Sequence, residues 1–182
     1  MIMQARNVTL TPLKAEDRES FILENQRAFK YGALEEFGKR DEHFEGDGDI
    51  ISRETIEKCL AEDEVYSIRA DGEIVGGLAV KIDSEKRRGE LELIFVFPEA
   101  HSRGIGQAAW KEVEKFYPQI DVWETFTPCF EKRNVHFYVN KLGFHIVEFF
   151  TWKFHSFQPP ADAENDGNYD DWEMFRFEKI IR

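Results

Sequence analysis

Hydrophobic and polar positions change period several times along the chain. Asn7-Val8-Thr9-Leu10-Thr11-Pro12-Leu13 alternates and stops at a proline, the pattern of a short strand. From Ala15 to about Tyr31, the residues Phe21, Ile22, Asn25, Ala28 and Phe29 recur at helical spacing and predict a helix. Ser52-Arg53-Glu54-Thr55 opens a second helix, with Ser52 as N-cap and Thr55 where a capping box prefers Glu. Its apolar positions are Ile56, Cys59 and Leu60, and the acidic, Gly-containing stretch before it reads as a loop. Val65–Ala70 and Glu73–Ile82 flank Asp71-Gly72, a strong hairpin signal. A charged turn from Asp83 to Arg88 leads into a strand from Gly89 to Phe97 that Pro98 ends, so this part is expected to be antiparallel.

The next helix is predicted from about Gly104 to Tyr117, with Ile105, Ala109, Val113 and Phe116 on one face and Lys111, Glu112, Glu114 and Lys115 on the other. Pro118 stops it. Val122–Phe126 reads as a strand, residues 129–141 as a helix closed by Gly143, and Phe144–Phe154 and Trp172–Ile181 as two last strands. The order β-α-α-β-β-β-α-β-α-β-β describes one mixed α/β (α+β) domain over residues 1–182, with no internal repeat and no linker.

Composition supports a packed core: 42% of residues are hydrophobic and 14% aromatic, with 17 Phe and 4 Trp, which excludes wholesale disorder. Cys59 and Cys129 have neither C-x-x-C spacing nor a histidine cluster, so reduced thiols in a cytoplasmic protein and no metal site are expected. No apolar run approaches ~18 residues, so neither a membrane span nor a signal peptide is read. The net charge of −12 argues against nucleic acid as a partner. Residues 35–49 hold seven acids and two bases, and residues 159–171 hold five acids and no base. Each stretch is therefore −5, and the acidity belongs to two loops rather than to the whole fold.

The candidate chemistry lies in Ile94-Phe95-Val96-Phe97-Pro98-Glu99-Ala100-His101-Ser102-Arg103-Gly104-Ile105-Gly106-Gln107-Ala108. A strand stops at a proline, a loop follows, and two glycines open an amphipathic helix. Glycines let backbone N–H groups approach a ligand, a helix N-terminus concentrates such donors, and Arg103 adds a cation: together, a diphosphate site. Gly104-Ile105-Gly106-Gln107-Ala108-Ala109 also matches the dinucleotide pattern G-x-G-x-x-G/A, with Glu124 twenty positions on. That pattern needs its first glycine at the strand end, whereas Pro98 to Arg103 intervene here, and the preceding strands form a meander instead of βαβ units.

Val96-Phe97-Pro98-Glu99 followed by His101-Ser102-Arg103-Gly104-Ile105-Gly106 resembles the acetyl-CoA signature of the GNAT superfamily of N-acetyltransferases, Q/R-x-x-G-x-G/A. Asn134-Val135-His136-Phe137-Tyr138-Val139-Asn140-Lys141-Leu142-Gly143-Phe144 resembles that family's N-x-x-F-Y-x-x-x-G-F, in the expected order and after one helix and one strand. The likeness is best over residues 64–150. It is limited to two helices on the acceptor side over 14–62, and to a last strand beyond the acidic loop over 151–182. It implies a mixed, mostly antiparallel, twisted sheet of about seven strands with four helices, splayed between the fourth and fifth strands. It also implies acetyl-CoA as cosubstrate and direct attack by an amine in a ternary complex. The pantetheine arm would run along the backbone of Phe95 and Val96, a backbone N–H there would polarise the thioester carbonyl, and the diphosphate would sit on the N–H groups from His101 through Ser102, Arg103, Gly104, Ile105 and Gly106 to Gln107. Asn134 and Tyr138, four apart on one helix, would line the same cleft, with Tyr138 matching the family's general acid.

An amine with a pKa near 10.4 needs help to deprotonate, and Glu92, sharing strand parity with Glu90, Ile94 and Val96, is the candidate base unless a bulge intervenes. His101 departs from the motif, where Gln or Arg is usual; His136 and His145 read as structural or surface residues. The two acidic loops fall in the acceptor regions and favour a cationic amine, with Phe37, Phe44, Phe149, Trp152 and Trp172 available to line a pocket or to pack. A catalytically silent CoA-binding or sensing module and a non-enzymatic interaction protein are the alternatives. A homodimer through the C-terminal strands is compatible with the pattern.

Overall fold

The computed structural model of the chain describes residues 7–37, 50–101, 103–129, 131–151 and 173–181, and of residues 33–37 the backbone alone. The acidic stretch 159–171, most of 35–49, and Phe44, Ser102, Trp152 and Trp172 lie outside them. Contacts group the chain into two units that meet in sequence between Ile120 and Asp121. Among the described residues, seven strands and four α-helices make a mixed α/β fold in which the pairings within the units are antiparallel.

In the first unit, β1 (Val8–Pro12), β2 (Glu64–Ala70), β3 (Glu73–Asp83) and β4 (Arg88–Val96) form consecutive ladders. The β2–β3 turn places Asp71 and Gly72 at φ 51° and 94°, both left-handed, as the tight hairpin turn requires. α1 (Arg18–Phe37) follows a 3₁₀ turn at Ala15–Asp17 and runs past Tyr31, so the first residues of the expected acidic loop continue a helix. α2 (Arg53–Glu62) starts as its sequence predicts, with Ser52 Oγ accepting from the Thr55 N–H at 3.1 Å. The apolar stripes of both helices close over one sheet face: Phe21, Ile22 and Ala28 of α1 and Ile56, Cys59 and Leu60 of α2 cluster with Ala79, Leu93 and Phe95. α3 (Ile105–Phe116) buries Ile105, Ala109, Trp110 and Val113 and packs on β1 and β4.

A bulge in β4 corrects the expected parity of Glu92. Ala79 pairs with Leu93 but Val80 with Leu91, so Glu92 is the extra residue. The strict alternation that would align it with Ile94 and Val96 breaks there, and its carboxylate comes within 4.8 Å of the Cys59 thiol and the Asp63 carboxylate on the α2 side of the sheet.

In the second unit, β7 (Met174–Ile180) lies between β5 (Val122–Pro128) and β6 (His145–Phe150). Between β5 and β6 the chain is helical, but the sequence-predicted helix over 129–141 divides: α4 covers Lys132–His136 and the winding loosens to a π-helix over Phe137–Leu142. Gly143, at φ 81°, ends it. Trp123, Thr125 and Thr127 occupy one buried face of β5, and Phe177 and Phe144 are fully buried with them in this unit. The opposite face carries Arg176, which donates to Glu148 at 2.9 Å, to Glu178 at 2.7 Å and to Glu124 at 3.4 Å. Among the described residues no helix is long and apolar enough to cross a membrane.

Candidate active site

The sequence-predicted residues divide between the units. In the first, β4 ends at Val96 and the chain turns through a 3₁₀ turn at Pro98–Ala100 to His101. Contacts with β3, with the strand end and with α1 fix this turn. The Phe97 N–H donates to Val75 O of β3 at 2.7 Å. His101 Nε2 lies 2.8 Å from Val96 O; a carbonyl can only accept, so Nε2 carries the proton. From α1, Arg27 donates twice to Glu99, at 2.9 and 3.1 Å, and rests 5.7 Å over the Phe97 ring, while Tyr31 meets His101 edge-on at 5.5 Å. His101 therefore turns back to the strand end it follows. Its side chain closes the loop, and its backbone N–H, which the resemblance gives to the diphosphate, donates to Pro98 O at 3.2 Å.

Arg103 is exposed, and Gly104 adopts a left-handed conformation (φ 70°, ψ 13°) as the N-cap of α3. A side chain is strained in that backbone, which explains the glycine. The first-turn N–H groups of a helix point out of its end, and here they are those of Ile105, Gly106 and Gln107, directly after Arg103 in the chain. Ile105 itself is a core residue, so it offers backbone only; the Phe95 ring likewise packs edge-to-face on Phe21 at 5.0 Å. Ser102 falls outside the described residues.

Glu92 reaches solvent, yet its carboxyl is held above the usual range, first by burial and then by the charge of Asp63, with Lys81 and Lys58 pulling the other way. Asp63 is raised for the same leading reason. The thiol and two carboxylates form a compact donor set, but the two neighbouring ammonium groups oppose a further cation there.

In the second unit Tyr138 is 7% exposed and its ring meets Phe177 at 5.5 Å and Phe144 at 6.1 Å. Burial pushes its phenol up to about 12, against a hydrogen bond with Thr125 that pulls it down. Asn134 Nδ2 donates to Thr127 Oγ1 at 3.3 Å. The two motif residues are thus each tied to a buried threonine of β5, two positions apart on one strand face. Thr125 and Thr127 went unremarked in the sequence; the signal was the alternation Trp123-x-Thr125-x-Thr127, which buries two hydroxyls that need partners. Arg27 gave no local signal, because its partner Glu99 is 72 positions away.

The burial that raises Tyr138 also pushes Cys59 up to about 12 and Cys129 to about 11, and raises Tyr117. Each neutral group keeps its proton in the folded chain at a pH where the unfolded chain has lost it. This stability is full below about pH 8, before free thiols with a pKa of about 8.5 ionise, and falls as pH rises toward about 12. Denaturant midpoints should therefore be flat from pH 7 to 8 and drop steadily by pH 11; equal midpoints at pH 8 and 11 would contradict the burial of these groups.

The family profile described as Acetyltransferase (GNAT) family matches residues 26–144. A protein of Bacillus subtilis (strain 168), "Uncharacterized protein YrkN", is 40% identical over 179 residues, which cover 96% of this chain and 94% of that one. Two solved structures share the fold at low identity. The PaiA N-acetyltransferase of Thermoplasma acidophilum in complex with coenzyme A is 18% identical, with a TM-score of 0.62 and coverage of 96% of this chain and 99% of that one. A GNAT family acetyltransferase of Elizabethkingia anophelis with acetyl-CoA bound is also 18% identical, with a TM-score of 0.63 and coverage of 97% and 99%. The chain belongs to the GNAT acetyltransferase family.

Proposed function

We propose that this protein transfers the acetyl group of acetyl-CoA to a primary amine in a ternary complex. The opening of α3 carries the reading. A strand ends, a braced turn follows, and a left-handed glycine starts a twelve-residue helix beside an arginine. That arrangement offers converging N–H donors and a positive dipole end to a diphosphate. In this reading Arg103, Gly104, Ile105, Gly106 and Gln107 hold the diphosphate, the backbone of Phe95 and Val96 lies along the pantetheine arm, and Asn134 and Tyr138 serve the thioester end. Acetyl-CoA supplies an activated acyl carbon. The neutral amine nitrogen forms the new C–N bond as the C–S bond breaks, and the proton that nitrogen sheds balances the one the CoA thiolate takes up. Glu92, whose raised pKa suits a base, relays the first proton through water, since it lies three residues, or ~10 Å, before Phe95 along β4.

Acetyl-CoA is expected to raise the melting temperature where NAD(P) does not, and an amine panel to give CoA release above hydrolysis; no shift and no release would sink the assignment. Gly104→Val tests the anchor. A Cβ there meets nothing within 4 Å, so only the left-handed backbone is penalised, by about 1–2 kcal/mol. KM for acetyl-CoA should rise roughly tenfold with little change in kcat.

A CoA-binding module without turnover is the second reading. The burial of Tyr138 among aromatic rings favours it, because a phenol that holds its proton to about 12 is a weak acid toward a thiolate.

A further inference from the structure

At the end of β4 the peptide unit joining Val96 to Phe97 is held from both sides. Its N–H, on Phe97, donates to Val75 O of β3 at 2.7 Å, and its carbonyl, on Val96, accepts from His101 Nε2 at 2.8 Å. Along an antiparallel strand, successive residues direct their backbone groups to opposite edges. Gly76 and Gly77 of β3 stand opposite Val96 and Phe95, and a Cβ at Gly76 would strike Phe95 O, so Phe95 and Phe97 address β3. The N–H and C=O of Val96 therefore both look to the other edge, and His101 covers the carbonyl of that pair. The half-buried imidazole is kept in place by the 3₁₀ turn, where the Ala100 N–H donates to Phe97 O at 2.8 Å. Tyr31 of α1 steadies the ring edge-on at 5.5 Å.

We propose that His101 is a positioning residue for the acyl group: by capping Val96 O it leaves the Val96 N–H as the group this strand end presents to the thioester oxygen. The inference rests on the acetyl-transfer reading, in which Phe95 and Val96 lie along the pantetheine arm. An uncapped edge residue sets an acceptor beside its donor. The thioester oxygen is an acceptor only, and it gains negative charge as the amine adds. A bare carbonyl next to it would repel it, and most strongly in the transition state. The imidazole N–H removes that opposition without taking up or releasing a proton. The same chemistry accounts for histidine where the motif usually has Gln or Arg, since all three side chains carry N–H donors. In Gln the amide Nε2 stands as many bonds from Cβ as Nε2 does in His.

The test titrates acetyl-CoA and the thioether S-ethyl-CoA, which lacks the carbonyl oxygen, against the full chain, His101→Ala and His101→Gln. CoA release with the amine panel is measured beside the binding. The parent should bind acetyl-CoA more tightly than S-ethyl-CoA. His101→Ala should lose about tenfold in affinity for acetyl-CoA and about tenfold in kcat, while its affinity for S-ethyl-CoA holds. His101→Gln should recover most of both losses. Equal weakening toward the two ligands would show a loop that has merely slackened. That result, an unchanged kcat in His101→Ala, or a Gln variant no better than Ala overturns the inference while acetyl transfer stands. Absence of acetyl-CoA binding, or of turnover with every amine, overturns the acetyl-transfer reading, and this inference with it.

Discussion

Tyr138→Phe is expected to lower kcat by about 100-fold or more while the KM for acetyl-CoA changes by less than about twofold. The substitution removes one oxygen and keeps the ring, so the contacts with Phe177 and Phe144 persist. The lost hydrogen bond with Thr125 costs on the order of 1 kcal/mol, a few degrees in melting temperature, so the variant remains folded for assay. The phenol's pKa of about 12 decides its chemical task. Against a thiol near 8.5, complete transfer of the proton from such a phenol is uphill by about 5 kcal/mol. A hydrogen bond from the neutral phenol to the departing sulfur involves no such transfer, and removing one aimed donor of this kind typically loses 10²–10³ in kcat. The phenol stays neutral across the working range, so the pH–rate profile should show no limb from Tyr138 below about pH 11. The discriminating result is kcat itself. An unchanged value in Tyr138→Phe would assign the residue to packing and favour the module that binds CoA without turnover.

The parts of this fold set by local chemistry were legible in the sequence, and those set by distant contacts were not. Asp71-Gly72, Ser52 and Gly143 each demand one backbone geometry, and the hairpin, the start of α2 and the helix end stand where those residues put them. The glycine at the head of α3 is of the same kind. Glu92 shows the limit: alternation extrapolated from Glu90 to Val96 fails at a bulge, and a bulge exists only in relation to the partner strand. The pairing of Arg27 with Glu99 is likewise a tertiary effect. The candidate site divides in the same way. Backbone donors follow from glycine spacing, whereas the environment that sets Tyr138's acidity comes from Thr125, Phe144 and Phe177, and no motif encodes it.

Asn25→Leu is expected to make the protein more stable and slower. Asn25 is fully buried on α1, in the stripe of Phe21, Ile22 and Ala28, and neither Oδ1 nor Nδ2 has a hydrogen-bond partner among the described residues. A buried polar group left unpaired costs about 1–3 kcal/mol, and Leu has nearly the same shape without that cost. A gain of about 2 kcal/mol corresponds, for a chain of 182 residues, to roughly 4–8 °C in melting temperature. A fall in melting temperature would show instead that the amide is hydrogen-bonded in solution. Its position gives the reason to keep it. Asn25 lies one helical turn beyond Phe21, whose ring packs on Phe95 of β4, and half a turn before Arg27, which braces the loop after β4. Unpartnered amides persist where activity uses them, and stability is exchanged for function at such sites. The two readouts therefore move in opposite directions in the Leu variant: melting temperature up, kcat/KM for the acceptor down by about tenfold, and thermal response to acetyl-CoA unchanged. A variant that gained stability and kept full turnover would reduce Asn25 to an unoptimised core position.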